Sequence, residues 1–344
     1  FFNFVARETR EWMALIGVEH LKDLVGRTEL LEVLPGTTVK HGKLDFSGML
    51  FNDAILESTP RTCQLPSNTP FDKGKLAERM VVETASAIAN RSGGSFEFDV
   101  TNCDRSIGAR LSGEIARQYG NAGMVDTPIQ LNLTGNIGQS FGVWNAGGLN
   151  MTLHGDANDY VGKGMAGGEL ILMPPQDSQF EARFAPIMGN TCLYGATGGK
   201  LLAAGRAGER FAVRNSGAQA VVEGAGDHCC EYMTGGMVVV LGKTGNNFGA
   251  GMTGGLAYVL DEENQFVDRY NHELVEICRI NTESVEAYRG HLRSTIQHFV
   301  DATGSKWGHH ILSNFEDYVR MFWLVKPKAA DLEGLLESVR SRAA

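Results

Sequence analysis

A segment of about twenty residues recurs six times between residues 138 and 260, and this repeat limits the folds open to the chain. The copies begin 20, 31, 19, 18 and 19 residues apart, and the long interval holds one extra stretch, "PPQDSQFEARFAP". Repeats of this length are typical of solenoid proteins, in which each repeat packs on its neighbours. The copies begin at Gly138, Asn158, Gly189, Gly208, Gly226 and Gly245.

Glycine stands at the tenth position of every copy and at the eleventh position of all but one, where Ala218 replaces it. A run of apolar residues follows each pair, as in "MVVVL" and "LAYVL", which is typical of a buried strand. Glycine fits corners that need a positive φ or a close backbone approach, so we predict that these residues are structural corners. The predicted corner residues are Gly147, Gly148, Gly167, Gly168, Gly198, Gly199, Gly217, Gly235, Gly236, Gly254 and Gly255.

A repeat this short cannot bury its own apolar face, so stacked coils must share one core. The strand-like run, glycine corner and polar loop of each copy predict a mainly β fold, namely a parallel β-helix that forms a single-stranded solenoid of about seven coils. Helical periodicity flanks this solenoid at both ends. We predict helices in 1–34, an irregular connector and helix in 35–90, the glycine-rich β-helix in 91–268 and a helical tail in 269–344.

Two stretches, "VGKGMAGG" (161–168) and "GAGMTG" (249–254), match the G-x-G-x-x-G spacing of dinucleotide-binding loops. That motif needs a helix to open at its third glycine, so that the helix N-terminus faces the phosphates. Here strand-like runs follow Gly167 and Gly254, and both glycines belong to the repeat. The repeat therefore explains the match, and a nucleotide-binding module is the disfavoured hypothesis.

The segment "DHCC" (227–230) raises the question of metal or redox chemistry. Cys229 falls in the apolar column of Phe141 and Phe248, and Cys230 falls in a column of small residues. Buried small side chains are the favoured interpretation, and a ligand or reactive thiol is the alternative.

A second cluster, "HGDAND" (154–159), contains Asp156 and Asp159. Gly, Asp and Asn favour turns because their side chains and backbone suit local hydrogen bonds, so a polar turn is one interpretation. The alternative is a carboxylate site, on a free-standing β-helix enzyme or binding subunit, that holds calcium or supplies an acid.

Other polar residues give no catalytic pattern. The adjacent pair His309 and His310 lacks the i, i+4 spacing of a helical metal site. Four arginines either pair with carboxylates of a neighbouring domain or are solvated. G-x-S-x-G, P-loop and H-E-x-x-H motifs are absent from the sequence, so the chain resembles a scaffold without an evident active site. The arginines are Arg105, Arg110, Arg206 and Arg210.

Composition excludes several classes of partner. The net charge is −9, which argues against a broad nucleic-acid surface. No apolar run approaches the ~18 residues that span a bilayer, so no membrane partner is expected. The six cysteines lack a C-x-x-C pair, and no signal peptide opens the chain, so we expect a cytoplasmic protein. The chain starts at Phe1 within a helical pattern, which suggests a piece of a longer polypeptide.

Long stretches of the sequence resemble a known family. "GQSFGVWNAGG", "GDANDYVGKGMAGG", "EYMTGGMVVVLGKTGNNFGAGMTGGLAYVLDE" and "LVKPK" resemble the C-terminal domain of the large subunit of bacterial glutamate synthase, the GXGXG domain. The opening "FVARETREWMALIGVEHLKDLVGRTELL" resembles the last helices of that family's FMN-binding barrel. The resemblance covers nearly the whole chain.

The resemblance implies a right-handed parallel β-helix that holds the other domains of the enzyme in place. Those partners are a glutaminase domain, a central domain and an FMN barrel with an iron–sulfur cluster, together with an NADPH-oxidising flavoprotein small subunit or ferredoxin, in a large oligomer. The whole enzyme is an oxidoreductase of glutamate biosynthesis and ammonia assimilation. The catalytic cysteine and the FMN and cluster ligands lie upstream in the family. We therefore expect no catalytic, cofactor-binding or metal residue here, in either a fragment or a separately encoded subunit.

Overall fold

The structure is a computed structural model that describes residues 1–37, 41–52, 59–65, 74–175, 178–280, 285–332 and 334–337. They divide into two compact units, Phe1–Phe71 and Asp72–Ala344. No helix among these described residues is long and apolar enough to cross a membrane.

The first unit is helical and carries little buried apolar surface. Helix α1 spans Phe2–Leu15, and α2 is a single turn at Ser47–Leu50. Met13 is the buried residue of α1, whereas Trp12 is 62% exposed. Short 3-10 turns lie at Leu21–Leu24, Thr28–Leu30 and His41–Lys43.

The second unit is built on one sheet of ten strands. Strands β1 to β8 are parallel and follow one another in chain order, and β10 then pairs antiparallel with both β8 and β9. The strands are β1 Gly94–Val100, β2 Ile129–Gly135, β3 Leu149–His154, β4 Ala166–Met173, β5 Gly198–Arg206, β6 Ser216–Gly224, β7 Thr234–Val240, β8 Gly254–Leu260, β9 Val275–Arg279 and β10 Phe322–Pro327.

Helices flank this sheet. Their bounds are α3 Lys75–Ala89, α4 Ala109–Tyr119, α5 Glu286–Thr303, α6 Lys306–Ser313 and α7 Phe315–Tyr318.

The prediction of a mainly β, right-handed parallel β-helix of about seven coils is therefore wrong. Each repeat contributes one strand, and the strands lie side by side in one mostly parallel sheet with flanking helices, which is an α/β arrangement. A recurring glycine pair and apolar run do not say how many strands each copy forms. The rest of each copy forms tight turns, and α4 lies within the stretch predicted to be β-helical.

The turns have a backbone conformation that also repeats. The third, fifth and seventh residues of all six copies have φ between +53° and +71°. In the first five copies the amides of the third and seventh residues donate to the next copy, as Ser140 N does to Asp159 O at 2.8 Å. The amide of the fifth residue donates to the preceding copy, as Leu193 N does to Val161 O at 2.7 Å. Consecutive turns are thus stacked by hydrogen bonds, as the strands are. These left-handed residues are Ser140, Gly142, Trp144, Tyr160, Gly162, Gly164, Thr191, Leu193, Gly195, Arg210, Ala212, Arg214, His228, Cys230, Tyr232, Asn247, Gly249 and Gly251.

Two apolar cores lie on opposite faces of the central strands. Alternate residues of a strand point to opposite faces, so Val238 and Val240 join one core while Val239 joins the other. The first core fills the space against the turns, where Phe141, Phe211 and Phe248 are fully buried. The second core packs against the C-terminal helices, through Leu292, Ile296 and Phe299 of α5. Burial on both faces explains the uninterrupted apolar run of β7.

A buried polar contact joins α6 to the sheet. Ser305 caps the helix by accepting a hydrogen bond from Gly308 N at 2.9 Å, and its hydroxyl donates to Glu223 Oε1 at the end of β6. Trp307 Nε1 donates to Leu241 O at 2.6 Å. Burial raises the pKa of Glu223 to about 7, and the Ser305 hydrogen bond offsets part of that rise.

This raised pKa predicts that stability falls with rising pH. The folded state holds a proton on Glu223 that the unfolded state releases near 4.5, so stability from this group declines between pH 4.5 and about 7. Glu223→Gln removes the ionisation. We expect the change that it causes in the free energy of unfolding to be more favourable at pH 8 than at pH 4.5, by up to about 3 kcal/mol. Urea unfolding at both pH values measures the difference, and an equal effect at the two values contradicts the prediction.

Candidate functional site: the glycine groove

A groove of about 910 Å³ runs along the amino-terminal ends of the strands of four consecutive repeats, beside α4. We call it the glycine groove because the glycine pairs of the repeats form its floor. Trp144, Glu169, Lys200 and Gln219 supply the larger side chains along it. The predicted corner residues that line it are Gly147, Gly148, Gly167, Gly168, Gly198, Gly199 and Gly217.

The remaining predicted corners, Gly235, Gly236, Gly254 and Gly255, begin β7 and β8 beyond the groove. The second glycine of each pair has a positive φ, for example +79° at Gly236. A Cβ at Gly198 would lie 2.6 Å from Ala166 O, closer than real Cβ contacts. We call the row of glycine pairs at the strand starts the glycine edge. Along it the backbones of neighbouring repeats touch, and there is no room for side chains.

Two buried asparagines that the repeat pattern alone did not predict hold this row of glycine pairs. Asn145 Nδ2 donates to Leu149 O at 2.8 Å and to Gly167 O at 2.9 Å, which joins two repeats. Asn215 Nδ2 donates to Ala218 O, and its Oδ1 accepts from Ala218 N, both at 2.9 Å. Both occupy the eighth position of a repeat, which is apolar in the other copies, and that contrast was the available signal.

The larger side chains of the groove are accessible. Trp144 is 66% exposed, and its ring lies over the Cα position of Gly164 in the next repeat. Tyr232 lies over Gly251 in the same way, and it belongs to the first repeat beyond the groove. Glu169 forms an ion pair with His298 Nε2 of α5 at 3.3 Å when that histidine is protonated.

The two G-x-G-x-x-G matches lie in the turns and the strands. Their first two glycines are left-handed turn residues, and the third glycine begins or enters a strand, β4 for Gly167 and β8 for Gly254. The strands predicted after these glycines are confirmed. No helix opens at either glycine, so neither match presents a helix N-terminus to a phosphate.

The sequence pattern of the GXGXG motif family matches residues 76–328. The chain belongs to this GXGXG family. It is 45% identical over 336 residues to the chloroplastic ferredoxin-dependent glutamate synthase of Oryza sativa subsp. japonica, and the aligned region covers 96% of the chain and 20% of the relative. It is 46% identical over 337 residues to ferredoxin-dependent glutamate synthase 2 of Synechocystis, covering 95% and 21%.

A third relative, the glutamate synthase [NADH] of Schizosaccharomyces pombe, is 42% identical over 328 residues, covering 95% of the chain and 15% of the relative. The resemblance to the C-terminal region of glutamate synthase large subunits is thus confirmed. The chain spans about a fifth of the length of the ferredoxin-dependent relatives it matches.

In this GXGXG domain, the cysteines of the repeats are buried. Cys192, Cys229 and Cys230 are at most 1% exposed, and the two adjacent sulfurs lie 3.8 Å apart without a bond. Burial raises the pKa of Cys192 to about 12 and also raises the pKa of Cys229 well above its usual value. Thiols that resist ionisation agree with the interpretation of buried small side chains. The described parts of the chain contain no group of three or more His, Cys, Asp or Glu residues that could hold a metal ion.

The two aspartates of "HGDAND" have different surroundings. Asp159 Oδ1 accepts a hydrogen bond from Asn190 N at 2.7 Å and so caps the turn of the next repeat. Asp227 does the same for Asn246 N at 2.6 Å. Asp156 lines a separate pocket of about 150 Å³ whose walls include three prolines. The contacts of Asp159 are those of a polar turn.

Two of the singled-out arginines pair within the chain. Arg110 pairs with Glu78 at 2.9 Å and Glu114 at 2.6 Å, and Arg210 lies 3.4 Å from Glu231. His310 Nε2 lies 3.1 Å from the Tyr318 hydroxyl and stacks on Trp307.

The glycine edge makes a testable prediction at Gly236. A Cβ there would collide with Ala218 O, and the backbone has a φ that disfavours other residues. We expect Gly236→Ala to destabilise the fold by more than about 1 kcal/mol. Gly290→Ala is the control, because a Cβ at this helical position meets no atom within 4 Å. Denaturant unfolding compares the two, and similar stabilities would contradict the prediction.

In the left-handed turns, substitution by glycine should raise stability, and Arg214 is a position that tests this. This residue is exposed, has φ +56°, and its side chain makes no hydrogen bond or ion pair with any described residue. Arg214→Gly should relieve strain and stabilise the fold by roughly 0.5 to 1 kcal/mol. Glu209→Gly, at an exposed position without a positive φ, should destabilise it. Thermal unfolding of both variants tests this difference in sign.

Proposed function

We propose that this chain is a structural scaffold domain of a glutamate synthase, which forms two L-glutamate from L-glutamine, 2-oxoglutarate and reductant. The observation that carries the proposal is the 45–46% identity to ferredoxin-dependent glutamate synthases over about 95% of the chain. In this proposal the catalytic cysteine, FMN and iron–sulfur cluster belong to other domains of the enzyme. The chain itself contributes no catalytic residue.

A rigid sheet supports the mechanical part of this proposal. Eight parallel strands follow chain order, and hydrogen bonds also join the turns between them. The central strands are buried on both faces. Such a unit resists bending, so surfaces attached to its two ends keep a fixed separation.

The glycine groove is our proposed docking surface for another domain of the same enzyme. The relatives are about five times longer than this chain, so their matching region adjoins large neighbours. The groove floor is bare backbone, and Trp144 stands exposed at its side. Exposed large aromatic side chains beside a groove are typical of protein contacts. The proposed partners are the glutaminase, central and FMN domains, with ferredoxin or an NADPH-oxidising flavoprotein supplying electrons.

We also propose a cytoplasmic location. What supports it is that all six cysteines are free thiols, as is usual in a reducing compartment.

The test uses the whole enzyme that contains this chain. Trp144→Glu places a charge in the groove, whereas Tyr232→Glu places one at the equivalent position outside it. We expect Trp144→Glu to raise the ratio of glutamine hydrolysed to glutamate formed from 2-oxoglutarate at least threefold, because the domains separate. Tyr232→Glu should leave that ratio unchanged. Wild-type ratios in both variants would contradict the proposed docking surface.

A second pair of variants tests the scaffold against a catalytic role. Glu169→Gln and Lys200→Met alter the polar side chains of the groove without touching the cores. We expect kcat to change by less than about threefold. A loss of about a hundredfold or more, at an unchanged melting temperature, would identify a catalytic group and overturn the scaffold proposal.

A further inference from the structure

A second pocket lies at the opposite ends of the strands from the glycine groove. It has a volume of about 100 Å³ and is lined by the carboxyl ends of β5 and β6, the residues after β7 and β8, and Trp307 of α6. A water needs roughly 10–15 Å³ by the same measure, so the pocket has room for a small molecule. Parallel sheets commonly bind ligands outside the carboxyl ends of their strands.

Two polar atoms in the wall of this pocket lack hydrogen-bond partners. Glu223 Oε2 and Thr244 Oγ1 are buried in side chains that are 2% and 3% exposed, and neither bonds to a described residue. An unmade hydrogen bond at a buried group costs about 1–3 kcal/mol. Native structures rarely leave two such atoms together, so a bound group that satisfies both is expected.

Most charges around the pocket are already paired. Arg183 lies 3.5 Å from Glu262, and Lys243 lies 3.2 Å from Glu263, which also attracts Arg269. Asp261 accepts hydrogen bonds from Gln265 N, Phe266 N and Trp323 Nε1. These groups hold the walls in place.

Arg206 is the exception. Its side chain lies against Gly224 and lines the pocket, and its guanidinium makes no ion pair or hydrogen bond with the residues that the structure describes. The strand register sets Arg206 beside Gly224, next to Glu223.

The free groups of the pocket are mainly donors. The Thr244 hydroxyl and the Arg206 guanidinium donate hydrogen bonds. Ser305 already donates to Glu223 Oε1, which leaves Oε2 free, and burial raises the pKa of Glu223 to about 7, so below that pH the carboxyl group carries a proton to donate. A ligand that meets three donors must present acceptor oxygens, as a carboxylate does.

We propose that this pocket binds a small carboxylate anion, whose oxygens accept hydrogen bonds from Thr244 Oγ1, the Arg206 guanidinium and the carboxyl group of Glu223. The site is distinct from the glycine groove and does not depend on the scaffold proposal. An anion there would satisfy both unpartnered atoms and the unpaired guanidinium at once.

Calorimetric titration of the 344-residue chain with sodium acetate, in a zwitterionic buffer without other small anions, tests the proposal. We expect saturable binding that is about tenfold weaker at pH 8 than at pH 6, because Glu223 is mostly ionised at the higher pH and repels the anion. Glu223→Gln keeps a donor without the ionisation, so it should bind acetate with little pH dependence.

Substitutions assign the binding to this pocket. Thr244→Val and Arg206→Gln should each weaken acetate binding at least tenfold without lowering the melting temperature. Thr152→Val, in β3 away from the pocket, is the matched control and should bind as the wild type does. Absence of saturable binding, or equal binding by Thr244→Val and the wild type, would mean that only water fills the pocket. Tenfold tighter binding of inorganic phosphate than of acetate would overturn the carboxylate assignment.

Discussion

Close backbone contact between successive repeats is the constraint on which the rest of this structure depends. At the strand starts, glycine pairs let neighbouring backbones touch, and buried amides such as Asn145 bridge them. In the turns, left-handed residues direct amides such as Ser140 N to the carbonyl of the next repeat. Strands, glycine corners and turns therefore share one spacing. A side chain added at a glycine corner disturbs the contact between two repeats as well as its own.

The sequence predicted the repeat and the buried thiols well because both follow from what a residue type can do. Glycine recurs where no Cβ fits, and Cys229 shares its column with phenylalanines. The architecture was predicted wrongly, since an apolar run shows that a strand recurs but not what the intervening residues do. Leu193 and Cys230 adopt left-handed turns although neither favours that conformation, so packing, rather than local preference, sets the turns.

The features of the pocket at the carboxyl ends of the strands that escaped prediction depend on contacts between distant parts of the chain. Glu223 is the penultimate residue of β6, and its sequence alone does not show that Ser305, 82 residues later, hydrogen-bonds to its buried carboxyl group. Thr244 is an ordinary turn residue in the sequence, and its unpartnered hydroxyl is evident only from its burial. Residue spacing in a sequence reveals groups that lie on one helix or strand, whereas Glu223, Thr244 and Ser305 lie on different elements.

The two ends of the sheet differ in chemistry because of the repeat itself. At the amino ends, glycine pairs leave mostly backbone along the groove, a surface that suits contact with another folded domain. At the carboxyl ends the repeats diverge: Glu223 replaces the apolar residue that the other five copies have at the sixteenth position, and Arg206 and Thr244 lie beyond that position in their copies. Positions released from the repeat can carry specific polar groups without breaking the contact between repeats. The same constraint that makes one end uniform therefore leaves the other end free to bind a particular small molecule.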